Sequence, residues 1–187
     1  KVGKVRFGAN ENYLLIEGLL KNQVHKYLRN LISGEIFEIN EEDTNPFVKI
    51  RHYPEEESRL IALSADHTLF SIDVRSQSAK TILVPMVSNF EIFGDTLIYS
   101  TTEPTIFYQK DLISGETEQL NQTPMSHFDL SSSFLRSEGG FLAFINKKKE
   151  LYLYQHQEGE FHRIAQNVEK ALFAQDDKKL MWHNHHE

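Results

Sequence analysis

The chain of 187 residues has no cysteine. That excludes disulfides, thiolate nucleophiles and Cys-ligated zinc, and leaves the redox compartment open. It has no Gly-x-Ser-x-Gly nucleophile elbow and no glycine-rich phosphate loop. Gly139-Gly140 is a turn pair ahead of Phe141. No stretch approaches the roughly 18 uninterrupted apolar residues of a membrane helix, so no membrane insertion by this segment is expected. Basic excess is missing too: 27 acidic residues face 20 basic ones, a net charge of −7. This balance argues against a nucleic-acid partner. The one lysine cluster, Lys147–Lys149, sits between two apolar runs and reads as a hairpin turn. No segment is rich in Pro, Gly or Ser, and no signal-peptide pattern is visible. The chain starts at Lys1 rather than methionine, which suggests a processed product or an excised piece.

What is present is a period of two. Hydrophobic residues make up 40% of the chain, enough for a globular core. Short apolar runs bounded by turn residues occur at Tyr13–Ile16, Leu60–Leu63, Leu97–Tyr99, Phe141–Ile145 and Leu180–Trp182. Runs of this length suit strands buried on both faces. Each follows a short alternating segment: Val2–Phe7, Phe47–Tyr53, Phe90–Phe93, Phe128–Leu135 and Val168–Phe173. Third strands are expected at Val24–Ile32, Thr68–Val74, Ile106–Ile113 and Leu151–Tyr154. Fourth strands are expected at Glu35–Ile39, Lys80–Val84, Glu116–Leu120 and Phe161–Ile164. In Leu151-Tyr152-Leu153-Tyr154 the leucines share one face and the tyrosines the other. No helix is expected.

The third-to-fourth connection repeats as sequence. Leu-Ile-Ser-Gly-Glu occurs at Leu31–Glu35 and at Leu112–Glu116, 81 residues apart. The lead-ins are Tyr27-Leu28-Arg29-Asn30 and Tyr108-Gln109-Lys110-Asp111, and degenerate copies lie at Val74–Ala79 and Gln155–Glu160. Gly34, Gly115 and Gly159 supply the positive φ that a tight hairpin needs. One four-strand unit returning about every 40 residues predicts an all-β propeller of four-stranded antiparallel blades. The blades span approximately 1–40, 47–84, 87–120 and 127–164, with a half-blade at 168–187. A flat β-sandwich is the rival, but it would not repeat the same hairpin at the same place. The acidic loop Asn40–Pro46 reads as a blade-to-blade crossing.

The segment Ala171-Leu172-Phe173-Ala174-Gln175-Asp176-Asp177-Lys178-Lys179-Leu180-Met181-Trp182 resembles the repeat signature of the TolB-like, or PD40, family of bacterial propellers. Tyr53–Leu63 is a looser copy. Gln175 and Asp177 stand where that family's pattern has proline and glycine. Aspartate at the second position is compatible with a turn. The resemblance is specific as sequence over about a dozen residues and extends over the chain as architecture. It implies a non-catalytic, exported bacterial propeller used for protein contacts or appended to other domains. An extracytoplasmic location follows from the resemblance alone.

Candidate chemical groups each have a plainer reading beside them. His183 and His185 would share a strand face, as a two-histidine metal site requires, but further ligands are not evident in the sequence. The run His183–His186 is more simply a solvated tail. Asp66, Asp95, Asp129 and Glu138 lie near inner-strand ends and could approach a propeller axis, where glycosidases place paired carboxylates. They also fit as turn residues between the first two strands. Ser33 and Ser114 sit in hairpins, Ser131–Ser133 reads as a loop or bulge, and Asn121-Gln122-Thr123 is a formal glycosylation sequon. Tyr27, Phe107, Tyr108, Tyr152 and Tyr154 lie on third strands. There some aromatics pack between blades and others are available for binding.

No catalytic, cofactor-binding or metal-ligating residue is therefore assigned, and no cofactor. The expected role is a scaffold or binding module whose partner is a protein or another domain of the same parent chain. The alternatives are the non-catalytic gating propeller of a larger peptidase and a glycan-processing propeller. The repeat count predicts an open arc cut from a propeller of six to eight blades. Such an arc would be prone to association through Val2–Phe7 and Leu180–Trp182.

Overall fold

A computed structural model describes residues 2–7, 13–20, 23–39, 47–56, 58–73, 75, 79–102, 105–120, 135–137, 140–174 and 179–184. Outside these lie the Asn40–Pro46 loop, Phe128–Phe134 of one expected strand, and most of the Val74–Ala79 hairpin. The Asn121 sequon, Ser131–Ser133, Asp129, Glu138, Gly139, the Gln175–Lys178 turn and His185–His186 lie outside as well.

The described residues form strands and turns, without a helix. The first sheet holds β1 (Val2–Phe7), β2 (Tyr13–Leu20), β3 (Gln23–Asn30) and β4 (Ile36–Glu38). The second holds β5 (Phe47–His52), β6 (Arg59–Ser64), β7 (Leu69–Asp73) and β8 (Ala79–Val84). The third holds β9 (Val87–Phe93), β10 (Thr96–Thr101), β11 (Phe107–Asp111) and β12 (Thr117–Gln119). The fourth holds β13 (Leu135–Arg136), β14 (Phe141–Ile145), β15 (Leu151–Gln155) and β16 (Glu160–Ala165). A two-stranded sheet of β17 (Val168–Phe173) and β18 (Leu180–Asn184) follows. Every sheet is an antiparallel meander in chain order. The chain divides into two compact units, Lys1–Val87 and Ser88–Glu187.

In the first unit the first two sheets pack face to face. Leu28, Ile39 and Phe37 meet Phe47, Ile50, Leu60, Ala62, Phe70 and Ile72. In the second unit Phe93, Ile98 and Phe107 of the third sheet meet Leu142, Phe144 and Tyr154 of the fourth, with Tyr152 and Phe161 packed alongside. The opposite face of the fourth sheet, with Ala143, Ile145, Leu151 and Leu153, packs on Val168, Ala171, Phe173 and Leu180. Leucines and tyrosines of β15 thus point to opposite neighbours, as their alternation requires.

Several expected strand ends move. The run at Tyr13 continues through Glu17-Gly18 to Leu20, because Gly18 pairs with His25 on one side and with Val2 on the other. β3 stops at Asn30 and β11 at Asp111, before the expected Ile32 and Ile113. There the side-chain oxygen accepts the next free backbone N–H groups and turns the chain. Asn30 Oδ1 accepts from Ile32 N at 2.8 Å and Ser33 N at 3.0 Å. Asp111 Oδ1 accepts from Ile113 N at 2.9 Å and Ser114 N at 2.7 Å. Such side chains compete with the ladder for backbone donors and favour turns. Gly34 and Gly115 follow at φ 77° and 79°, each donating to the carbonyl of its cap residue at 2.9 Å.

The second-to-third turns repeat as closely. Ser64, Thr101 and Asn146 each close the second strand and accept a backbone N–H across the turn, from Thr68 at 3.2 Å, Ile106 at 3.0 Å and Glu150 at 2.8 Å. His67 and Lys149 lie three residues beyond Ser64 and Asn146, both at positive φ. Their carbonyls accept from Val87 N at 2.7 Å and Val168 N at 2.8 Å. The lysine triplet is thus a turn that fastens the fourth sheet to β17.

Candidate functional site

The third-strand aromatics, with Phe70 added to the five expected from sequence, divide by position. Tyr27, Phe70, Tyr108 and Tyr152 each stand three residues before the last residue of a third strand. Phe70 packs back against the first sheet, and Tyr152 back against the third. At this position Phe70 and Tyr152 each pack on the earlier sheet of their own unit. Phe107 and Tyr154 are wholly buried in the second unit's core. Phe107 lies 5.1 Å from Phe144 and 4.7 Å from Phe161 between ring centroids. The Tyr154 hydroxyl donates to Gln109 Oε1 at 3.4 Å, and burial followed by the Glu118 charge pushes its pKa up to about 12. Tyr108 stacks on Tyr99 at 5.3 Å, and burial pushes Tyr99 up to about 12.

Tyr27 stays half-buried on the outer face of the first sheet. It stacks on His25 at 6.2 Å, and His25 Nδ1 is 2.9 Å from Glu38 Oε1. Partial burial and then the Glu38 carboxylate hold its hydroxyl above the usual value. Ile36, 61% exposed, lies on this same face directly across from Arg29. The combination is an open aromatic and aliphatic surface edged with charge.

Among the described residues the acid and hydroxyl candidates Asp66, Asp95, Ser33 and Ser114 lie in turns. Asp66 lies between the second and third strands of its sheet, not between the first two as expected. Its carboxylate is held by the Ser64 hydroxyl and by Thr68 N at 3.3 Å. The turn chemistry simply belongs to the next connection along. Asp95 is in the β9–β10 turn, where its carbonyl accepts from Leu112 N at 2.8 Å. Ser33 Oγ donates to Glu35 Oε2 at 3.1 Å and accepts from Glu35 N at 3.3 Å. Ser114 Oγ accepts from Glu116 N at 3.2 Å. Glu150 accepts from Asn146 Nδ2 at 2.8 Å, Arg163 Nη1 at 3.0 Å and the Tyr152 hydroxyl at 3.2 Å. The Asn146 donor, followed by the Arg163 and Tyr152 donors, outweighs partial burial and holds its pKa below the usual carboxylate value.

His183 is exposed, with Nδ1 3.9 Å from Glu169 Oε2. Among the described residues no group of three or more His, Asp or Glu is arranged to hold a metal ion. Among those residues no helix is long and apolar enough to cross a membrane. Burial lowers the pKa of His52 to about 4 and lowers that of His156, whose ring stacks on Phe93 at 5.8 Å.

One repeated feature is not evident from hydrophobic runs. The first strands β1, β5 and β17 each bulge just after their first residue, and the next paired residue is a lysine: Lys4, Lys49 and Lys170. The sequence signal is an apolar–x–Lys–apolar quartet, Val2–Val5, Phe47–Ile50 and Val168–Ala171. Bulges at strand starts re-aim side chains and are designed features of sheets.

Among solved structures the chain resembles TolB from Acinetobacter baumannii, with a TM-score of 0.66 at 10% identity, over 96% of this chain and 48% of that one. The fold is that of β-propeller proteins. An oligogalacturonate lyase in complex with manganese matches with a TM-score of 0.62 at 12% identity, over 94% and 56% of the two chains. A nidogen/laminin complex matches with a TM-score of 0.63 at 8% identity, over 98% and 72%. The chain spans about half the length of the first two propellers. Identities this low carry the fold and not the activity. No family model matches the chain, and the curated proteins give no match.

Proposed function

We propose that this chain is a non-catalytic scaffold and binding module of the TolB-like kind, part of a larger bacterial protein. Its contacts would be with a protein partner or with other domains of the same parent chain. The observation that carries this reading is where the candidate polar groups are employed. Asp66, Asp111, Ser33, Ser114 and Asn146 all hold turns through backbone N–H groups. Carboxylates and hydroxyls engaged in this way are poorly placed to serve as nucleophiles or general bases. The exposed surface offers aromatic and aliphatic side chains rimmed by charge, the composition of protein interfaces. The Ala171–Trp182 signature and the likeness to TolB support the TolB-like assignment.

The test is turnover. Panels of peptide, glycoside and polyuronate substrates should give no activity above that of a mock purification. Turnover that persists through purification and disappears in Asp66→Asn or Asp95→Asn would replace this reading with a glycan- or peptide-processing one.

A further inference from the structure

Four of the described histidines face an oxygen that protonation of the ring would hold more tightly. His25 Nδ1, His162 Nε2 and His183 Nδ1 lie 2.9, 3.7 and 3.9 Å from carboxylate oxygens of Glu38, Glu158 and Glu169. His67 Nδ1 lies 3.2 Å from the Val87 carbonyl oxygen. Charge on the donor strengthens such bonds. His156 is placed differently. Its Nδ1 is buried and has no hydrogen-bond partner. It is the first residue after β15, where its backbone N–H donates to the Gly140 carbonyl at 3.0 Å. Its ring centroid lies 5.8 Å from that of Phe93, with the planes 13° from parallel. Phe93 ends β9 and belongs to the core shared by the third and fourth sheets. Both residues lie in the second unit, so the stack joins two sheets of one unit.

We propose that the His156–Phe93 stack is a proton-sensitive latch between the third and fourth sheets, shut when the imidazole is neutral and released when it is protonated. An imidazolium donates from both ring nitrogens. At Nδ1 the new N–H would be buried with nothing to accept it, which carries the full cost of its lost hydration. Attraction between the cation and the Phe93 face opposes this. With the rings parallel, however, the N–H lies along the ring plane and does not point into the π face. The charged groups beside the stack do not relieve it. On β9 Glu91 shares the face of Phe93, and Asp95 follows in the turn, but neither bonds to Nδ1. β14 carries no charged residue, and Glu158 in the same hairpin as His156 faces His162. Release needs only the side chain to swing to solvent, since the backbone bond to Gly140 does not involve the ring. Burial lowers the His156 pKa below its ordinary value, about 6.5. The contact is therefore at full strength above that value and is lost as pH falls through the folded pKa. This goes beyond the scaffold reading and stands on the packing of the second unit, whatever the chain binds.

The experiment uses the full 187-residue chain and compares wild type with His156→Phe, which keeps a ring on Phe93 but takes no proton. Urea midpoints are followed by fluorescence of the single tryptophan, Trp182, which lies in the second unit. As pH falls from about 7.5 to about 5, across the ordinary histidine range, the wild-type midpoint should drop relative to the variant. His52, whose burial also disfavours its charge, lies in the first unit and is unchanged in both proteins, so their difference isolates His156. Hydrogen exchange on wild type, corrected for intrinsic rates, tests the latch itself. Acid should deprotect the hairpin after β15 and the β9–β10 turn, while β17 keeps its protection. An NMR titration of the His156 ring should show an apparent pKa below about 6.5. If His156→Phe does not fold, His156→Gln takes its place, and the two wild-type measurements stand without either variant. A ring that titrates at or above the ordinary value would overturn the proposal. Midpoints that run parallel with pH would overturn it equally, as would protection lost evenly across the second unit.

Discussion

The two Leu-Ile-Ser-Gly-Glu hairpins share the same cap and backbone hydrogen bonds, yet the strands that lead into them carry opposite patterns. On the packed face of β3 the residues are Lys26 and Leu28; at the same register on β11 they are Phe107 and Gln109. In the first unit Leu28 is wholly buried and the Lys26 ammonium donates to the Phe47 carbonyl. In the second unit Phe107 is wholly buried and Gln109 accepts from the Tyr154 hydroxyl. The apolar mass has moved two residues along the strand, and the polar group has moved the other way. A turn fixed by backbone donors is insensitive to that exchange. The core adjusts around it: in the first unit Leu60, Ile50 and Ile72 surround an edge-on Phe47–Phe70 pair, and in the second the rings of Phe107, Phe144, Tyr154 and Phe161 interlock. Local turn chemistry and sheet packing are thus separable parts of the repeat.

The largest way to break this comparison is to delete the two anchors. Phe107→Ala removes a ring that touches two others and should cost about 3–5 kcal/mol, while Leu28→Ala should cost about 2–5 kcal/mol. Denaturant titrations would read both as lowered midpoints at unchanged slope. The two units need not melt together, so fluorescence and far-UV signals should be followed separately. An effect below about 1 kcal/mol at either position would mean that the assigned core is not what holds that unit.

A smaller effect tests whether the hairpins are equivalent. Gly34 and Gly115 have φ values of 77° and 79°, and a Cβ at either would meet nothing within 4 Å. Alanine there pays only for the left-handed backbone, about 1–2 kcal/mol, and the same in both. Asparagine, which tolerates that region, should cost less than alanine. Unequal costs for Gly34→Ala and Gly115→Ala would show that the units respond differently even where their hydrogen bonds match.

The sequence discloses these turns more readily than the faces. A repeated pentapeptide fixes the hairpin because glycine and an amide or carboxylate cap each have one local job. Alternation in Leu151–Tyr154 separates two faces but cannot say which is outside. In a sheet covered on both sides neither is, which is why Phe107 and Tyr154 are core while Tyr27, at the position of Tyr152, is not. His67 and Lys149 sit at positive φ without being glycine, so residue type gives no warning of those turns. The bulge lysines escape for a related reason. A bulge shifts the register by one, and a strict period of two passes over it. Of the candidate site residues, Asp66 and the hairpin serines were legible as turn formers. The shared face of Tyr27, Arg29 and Ile36 becomes visible only once the register aligns it with that of Tyr152, Tyr154 and Phe161.

The smallest expected effect sharpens the comparison at the cap itself. Asn30 and Asp111 make the same pair of bonds, but only Asp111 titrates. Backbone N–H donation from Ser114, then from Ile113, holds its carboxyl below the usual carboxylate value, against a small opposing effect of burial. A carboxyl whose folded pKa is depressed adds stability that is present above the unfolded value, about 3.9, and is lost as pH falls through the folded one. The second unit's hairpin should therefore weaken in acid while the first unit's hairpin should not. Asp111→Asn keeps the acceptor and removes the charge. Its stability relative to wild type should be lowest near neutral pH and should recover as pH drops below about 4. Asn30→Asp should do the reverse, bringing acid sensitivity to the first unit. Urea midpoints measured across that range for the three proteins decide it. If the Asp111→Asn curve runs parallel to wild type, the charge on Asp111 contributes nothing beyond the hydrogen bonds that Asn30 makes equally well.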